Sequence, residues 1–306
     1  MQGVLVFLLG FGLLGCNAAE KNQQKQADGR INVVCTTGMI ADMAQQVGGE
    51  RVKVIGLMGP GVDPHYYKAS QGDVAKLREA DVVFYNGLFL EGKMEGIFTK
   101  MARNKKVVAV AAELPPEILR KPAEFAGHFD PHIWFDVGLW RQIIDRVVST
   151  LTEMDPEGAS NYRANGDAYK AALGELDQWV RQAVGTIPKA QRLLVTAHDA
   201  FGYFGRAYGV EVVALQGVST VAEYGVKDVS QLVDLVVERQ VKAIFVESSV
   251  PERSINAVRQ GCQARGFTVH IGGTLYSDAM GGEGSGADTY IGMVKTNVNT
   301  LVSALK

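Results

Sequence analysis

Cysteine is scarce in this chain, with three among 306 residues. None lies in a Cys-x-x-Cys arrangement, which argues against thiolate metal coordination. Cys35 sits in an apolar strand pattern and Cys262 in a helical one, far apart in sequence. They are expected as buried free thiols, with a disulfide in an oxidising compartment as the alternative. An excess of either charge is also missing: the net charge is −2, which gives no field for nucleic acid. Beyond the first residues, no apolar run reaches the length needed to span a bilayer. His-Glu-x-x-His is absent, and the glycine-rich stretch 281–286 has neither dinucleotide nor P-loop spacing, so it reads as a mobile loop.

What is present is an ordinary globular composition, 47% hydrophobic and 21% charged, long enough for two domains or one large one. The apolar run 4–14 is too short for a stable span and reads as the core of a signal peptide. It ends in Leu13-Leu14-Gly15-Cys16, which resembles the lipobox of bacterial lipoproteins. That resemblance implies a lipid on Cys16, although Met1-Gln2-Gly3 departs from the pattern in carrying no Lys or Arg. Residues 16–30 are polar and Gln/Lys-rich, as a flexible tether would be. A lipid there would hold the folded part at a membrane surface without spanning it.

From residue 31 the pattern alternates. Strands are expected at 31–37, 52–57, 81–86 and 106–110. Helices are expected at 39–47, 69–79 (with Ser70 as N-cap) and 90–102. A Pro-rich connection follows, then a helix over 139–153 and a long one from near Pro156 to about Val184. In the long helix Tyr162, Tyr169, Leu173, Leu176 and Val180 recur at helical spacing. The alternation resumes with strands at 192–196, 211–215, 243–247 and 267–272. Helices are expected between them at 201–208, 226–239 and 254–265, and at 290–305. The fold class expected is α/β: two βα lobes with parallel four-stranded sheets, joined by one long rigid helix. The lobes would span 31–138 and 191–306, with a helical region at 139–190, after a signal peptide at 1–15.

Only five histidines occur. His65 closes Asp63-Pro64-His65 and His132 closes Asp130-Pro131-His132, so one triplet appears in two loops. Proline stiffens each loop and delivers the imidazole from a fixed direction. His198 follows the first strand of the second lobe, and Asp278 lies beyond that lobe's last strand. Ligands gather outside the carboxyl ends of strands in open α/β sheets. The four residues would thus converge on one interlobe cleft, and three imidazoles with a carboxylate suit a borderline divalent ion such as zinc. The alternatives are turn residues for His65 and His132, a core histidine for His198 and a turn cap for Asp278. Glu247 ends a strand on the same side and is either an acceptor orienting an imidazole or a helix N-cap. His128 reads as exposed and His270 as structural.

Gly59-Pro60-Gly61-Val62-Asp63-Pro64-His65, Asp130-Pro131-His132, Ala197-His198-Asp199-Ala200-Phe201 and Ser277-Asp278-Ala279-Met280 resemble the metal-binding solute receptors of ABC importers. The likeness is to the zinc/manganese branch with a long linking helix, and it runs from about residue 31 to the end. It implies His65, His132, His198 and Asp278 as ligands, Zn2+ or Mn2+ as transported cargo and a membrane permease as partner. It also implies a lipid-anchored, extracytoplasmic protein, with a monomer the simplest state. Two departures bear on the metal. The His-rich loop common in zinc-dedicated members is missing, since 112–129 holds only His128. The Glu common at the third ligand position of manganese-dedicated members is here His198. Zinc is the favoured cargo. Two rival readings are a metal-dependent hydrolase, which would need an open coordination position, and a metal-free adhesin-like surface lipoprotein.

Overall fold

The computed structural model describes residues 29–125 and 127–306; the lipobox at Cys16 and the tether up to residue 28 lie outside them. Four strands open the fold: β1 (Ile31–Cys35), β2 (Val52–Gly56), β3 (Val82–Tyr85) and β4 (Lys106–Ala109), ordered β2-β1-β3-β4. All pairs are parallel, with Val33 opposite both Val54 and Val82. Strands β1 and β3 are central and nearly all buried, as expected where helices cover both faces.

Helix α1 (Gly38–Gly48) buries Met39, Ile40, Met43, Ala44 and Val47, a one-sided stripe. Helix α2 (Gln71–Glu79) starts at Ser70 in a capping box: Ser70 Oγ accepts from the Asp73 amide and Asp73 accepts from the Ser70 amide. The expected helix over 90–102 is shorter, α3 (Glu95–Met101). Gly87, Leu88 and Phe89 all have positive φ (81°, 53° and 68°), so the chain turns left-handed before it can wind.

The expected helix over 139–153 is two, α4 (Val137–Gln142) and α5 (Ile144–Met154), separated at Ile143. The long helix α6 runs Ala159–Gly185, 27 residues. It buries Tyr162, Tyr169, Leu173, Leu176, Val180 and Val184, each contributing about 1.5–3 kcal/mol by removal from water. Helix α6 packs on α1, α4 and α5 and on the terminal helix α10 (Tyr290–Leu305). One apolar cluster therefore runs through both halves.

The second half holds β5 (Leu193–His198), α7 (Gly202–Tyr208), β6 (Glu211–Gln216), α8 (Val226–Glu238), β7 (Ala243–Glu247), α9 (Arg253–Ala264) and β8 (His270–Leu275). The α/β class stands, with a refinement of the second sheet. Strand β5 pairs with β6 and β7 with β8, both in parallel, and the two pairs lie side by side. At the carboxyl end of that seam the amides of Ala197 and His198 bond the Glu247 side chain, at 2.8 and 2.9 Å, instead of a neighbouring strand. Strand β8 starts three residues later than expected, after a turn in which Phe267 N donates to Cys262 O. His270 is its exposed first residue. The glycine-rich 281–286 segment is bonded in place, with Gly281 N on Ala287 O at 2.8 Å and Gly284 N on Asp288 Oδ2 at 3.1 Å. Cys35 and Cys262 are free and buried.

Candidate metal centre

The repeated Asp-Pro-His triplet has one structural meaning. In each copy the aspartate Oδ1 accepts the amide of the histidine two residues on, at 2.9 Å for Asp63 and His65 and 3.0 Å for Asp130 and His132. Each is an Asx-type turn, and the proline between holds it open. His198 arrives differently, as the last residue of β5. Asp278 lies three residues past the end of β8. Its loop is clamped on both sides of Tyr276, whose amide donates to Asn297 Oδ1 at 2.8 Å and whose carbonyl accepts from Asn297 Nδ2 at 2.7 Å. Hydroxyls of Ser249 and Ser277 meet at 2.8 Å beside it.

These elements bring the four predicted side chains together, all buried. His65 Nε2 is 3.3 Å from His132 Nε2. Asp278 Oδ1 is 3.4 Å from His132 Nε2, and Asp278 Oδ2 is 3.2 Å from His198 Nε2 and 3.9 Å from His65 Nε2. An ion bonded at about 2.0–2.1 Å to four tetrahedral donors sets those donors roughly 3.3–3.4 Å apart. Three of these spacings are close to that value already, and all the ligand atoms lie within 4.8 Å of one another. Both carboxylate oxygens face the imidazoles, so four residues present five donor atoms.

Carboxylates behind the rings fix two of the three tautomers. Asp130 Oδ1 accepts from His132 Nδ1 at 2.7 Å, and Glu247 Oε2 lies 2.6 Å from His198 Nδ1. Both arrangements leave Nε2 to serve as the donor atom, the usual device at metal-bound histidines. Glu247 is thus an orienting acceptor, with its second oxygen on two amides, and not an exposed cap. Among the described residues, His65 pairs with a carboxylate only through Nε2, with Asp278 Oδ2 at 3.9 Å.

The electrostatics divide along the same line. Burial, reinforced by the other two imidazoles against the pull of Asp278, lowers His65 to about 3. Burial also acts to lower His132, but the bonds from Asp130 and Asp278 outweigh it and raise it to about 9. Burial is likewise overcome at His198, which Glu247 and Asp278 push well above its ordinary value. Asp278 is held well below the usual carboxylate range, its burial outweighed by His198 and His132. An incoming dication displaces protons from such a cluster, because imidazole coordinates as the neutral ring.

The remaining histidines stand apart. His128 is exposed and stacks on Phe89 with ring centroids 4.4 Å apart, and His270 lies at the far end of β8. Sequence reasoning gave no role to Asp130, Trp134 or Asn297. For Asp130 a signal existed, since an aspartate two residues before a histidine is the pattern of an Asx turn.

Two α/β halves joined by a long helix, closed over a buried cluster of protein donors, define a metal-binding receptor of the substrate-binding type. Comparison with known proteins gives that class a family. Residues 33–304 match the family model ZnuA, zinc-uptake complex component A, periplasmic, and the chain belongs to this family. It is 50% identical to the manganese-binding lipoprotein MntA of Bacillus subtilis, over 100% of this chain and 99% of that protein. It is 31% identical to the metal ABC transporter substrate-binding lipoprotein FimA of Streptococcus parasanguinis, over 98% of this chain and 96% of that protein. The solved periplasmic zinc-binding protein TroA of Treponema pallidum superposes with a TM-score of 0.88 at 46% identity, covering 90% of this chain and 99% of that one.

Proposed function

We propose that this chain is the substrate-binding component of a metal ABC importer, capturing one divalent transition metal ion at His65, His132, His198 and Asp278 and delivering it to a membrane permease. It is a transport component and not an enzyme. The observation that carries the ligand assignment is the convergence of four buried side chains, from four separate loops or strand ends, with their ligand atoms all within 4.8 Å of one another. Four buried residues supply enough protein donors to complete an ion's shell, which suits binding and release and disfavours an activated water. Three borderline nitrogens favour zinc as cargo over manganese. Release follows when the permease biases the two lobes apart and pulls the ligands of one from those of the other.

The chain works outside the cytoplasm, as a monomer held to the membrane by a lipid on Cys16. The lipobox-like run and the lipoprotein names of MntA and FimA support that placement. No helix among the described residues is long and apolar enough to cross a membrane.

Elemental analysis of the form beginning after Cys16, purified without chelator or affinity tag and then loaded with zinc or manganese, tests the reading. His132→Ala is run beside it. About one ion per chain in the parent, sharply reduced in the variant, is the expected result. A parent that takes up neither metal overturns the proposal.

A further inference from the structure

Behind His132, on the side away from its donor atom, one cation touches both the His132 and the His198 segments. Arg120 lies in the Pro-rich connection before the His132 loop. Its Nη1 pairs with Asp130 Oδ2, and its Nη2 reaches Asp199 Oδ2 at 3.4 Å. Asp130 is fully buried, and its other oxygen holds both N–H groups of His132. Asp199 follows His198 directly in sequence and belongs to the second half. A guanidinium presents a planar fork of five donors and can serve two carboxylates at once, which an ammonium on a flexible stem does poorly.

The seat of this side chain is built for it. Asp130 N donates to Arg120 O at 2.9 Å, Arg120 N donates to Tyr203 Oη at 3.0 Å, and Tyr203 Oη donates to Asp130 O at 2.9 Å. Tyr203 is in α7, so the second half anchors both ends of the 120–130 segment. Helix α7 opens with Gly202, and a Cβ there would overlap the Arg120 guanidinium. Only glycine leaves the space.

We propose that Arg120, seated against Gly202, is a positioning residue for metal capture: it ties the carboxylate that orients His132 to the aspartate beside His198, and so holds imidazoles from the two lobes at one spacing. This rests on the receptor reading above. With the tie in place, the two rings stay in register while the ion is bound. Without it, Asp130 loses its counter-cation and the lobes separate more readily at this seam, so the ion leaves sooner.

The test compares the chain from after Cys16 with Arg120→Gln, Arg120→Lys, Gly202→Ala and the double variant Arg120→Gln/Gly202→Ala. Zinc stoichiometry, zinc affinity by chelator competition, the rate of zinc loss to excess chelator and metal-free melting temperature are read for each. Arg120→Gln should keep about one zinc per chain but bind it roughly tenfold more weakly or worse, the scale at which partners of metal ligands act, with the loss in the release rate. Arg120→Lys should lie between. Gly202→Ala, which expels the guanidinium without removing it, should reproduce Arg120→Gln, and the double variant should be no weaker than either single one. Release rates within twofold of the parent for both single variants, or losses that multiply in the double variant, overturn the inference. So does a drop in metal-free melting temperature unaccompanied by faster release, the mark of a merely structural role. A parent that binds no zinc at all strikes the receptor reading itself, a different result from a parent that binds and variants that match it.

Discussion

The indole Nε1–H of Trp134 donates to the main-chain carbonyl of Ser277 at 3.0 Å, across 143 positions of sequence. Trp134 stands two residues after His132, and Ser277 one residue before Asp278. The bond therefore ties together the segments that carry two of the proposed metal ligands, from opposite halves of the chain. Tyr290 Oη secures the same tryptophan from the terminal helix by donating to its carbonyl at 2.7 Å. The ring also meets His132 edge-on, with centroids 5.1 Å apart.

Trp134→Phe should cost both stability and affinity. The Ser277 carbonyl would be left buried without its donor, a penalty of about 1–3 kcal/mol, and the smaller ring would loosen the contact with His132. Urea unfolding of the metal-free variant should show the stability loss, and zinc titration a weaker site. Unchanged affinity in a destabilised variant would mean that the tether serves folding alone.

Glu247→Gln should weaken metal binding by about 10–100-fold while leaving the fold intact. Oε1 of Glu247 accepts two amides and Oε2 faces His198 Nδ1 at 2.6 Å. A glutamine can keep the oxygen on the amides, but its NH2 then meets Nδ1. The imidazole would answer by moving its proton to Nε2, the atom that must face the ion. Competition against a chelator measures the loss, and parental affinity would show that the carboxylate does not set the tautomer.

Much of this centre was legible in the residues because its two central loops are local devices. An Asp-Pro-His triplet carries its own Asx turn, so the imidazole's delivery is encoded within three positions. Ser70 capping α2 is equally local, and the buried stripe of α6 follows from helical spacing alone. What escaped has no local signature. Residues 90–94 read as the start of a helix, but Glu91 turns back to accept from Thr36 Oγ1 and from the amides of Asn86 and Gly87, and α3 begins only at Glu95. The bonds from Trp134 to Ser277 and from Arg120 to Asp199 join distant segments, and no periodicity marks them. Strand β8 begins later than expected for a related reason: Phe267 and Val269 read as strand, but the chain there turns back on α9, with Phe267 N donating to Cys262 O.

Acid should reveal a second, purely structural pair. Arg51 Nε and Nη2 bond Asp155 Oδ2 and Oδ1 at 2.7 and 2.9 Å, joining the turn before β2 to the turn before α6. The Arg51 bond, aided by Tyr162, outweighs burial and holds Asp155 at about 2. A depressed folded value gives stability that is fully present above the unfolded value of about 3.9 and is lost as pH falls through the folded value. The parent should therefore be more stable than Arg51→Gln at pH 5, and the gap should close between pH 4 and 2. Both groups are partly exposed, so the gap is modest. Unfolding curves that stay parallel down to pH 2 would show that the pair contributes nothing.

The donor set should decide the cargo, and exchanging one donor should move it. Nitrogen donors suit zinc, and a carboxylate oxygen suits the harder manganese ion. His198→Glu alone would set a second carboxylate against Glu247, which lies 2.6 Å from the present Nδ1, and the repulsion would obscure any preference. The informative protein is therefore His198→Glu combined with Glu247→Gln, which removes that repulsion and lets the new carboxylate take its neighbour's amide. Zinc affinity should fall, and the ratio of zinc to manganese affinity should drop at least about tenfold, because only zinc loses a preferred nitrogen. Parallel competition titrations with the two metals give that ratio directly. An equal loss for both would mean that the substitution damages the cage without changing its selectivity, and the preference would then have to come from the size of the cluster rather than its chemistry.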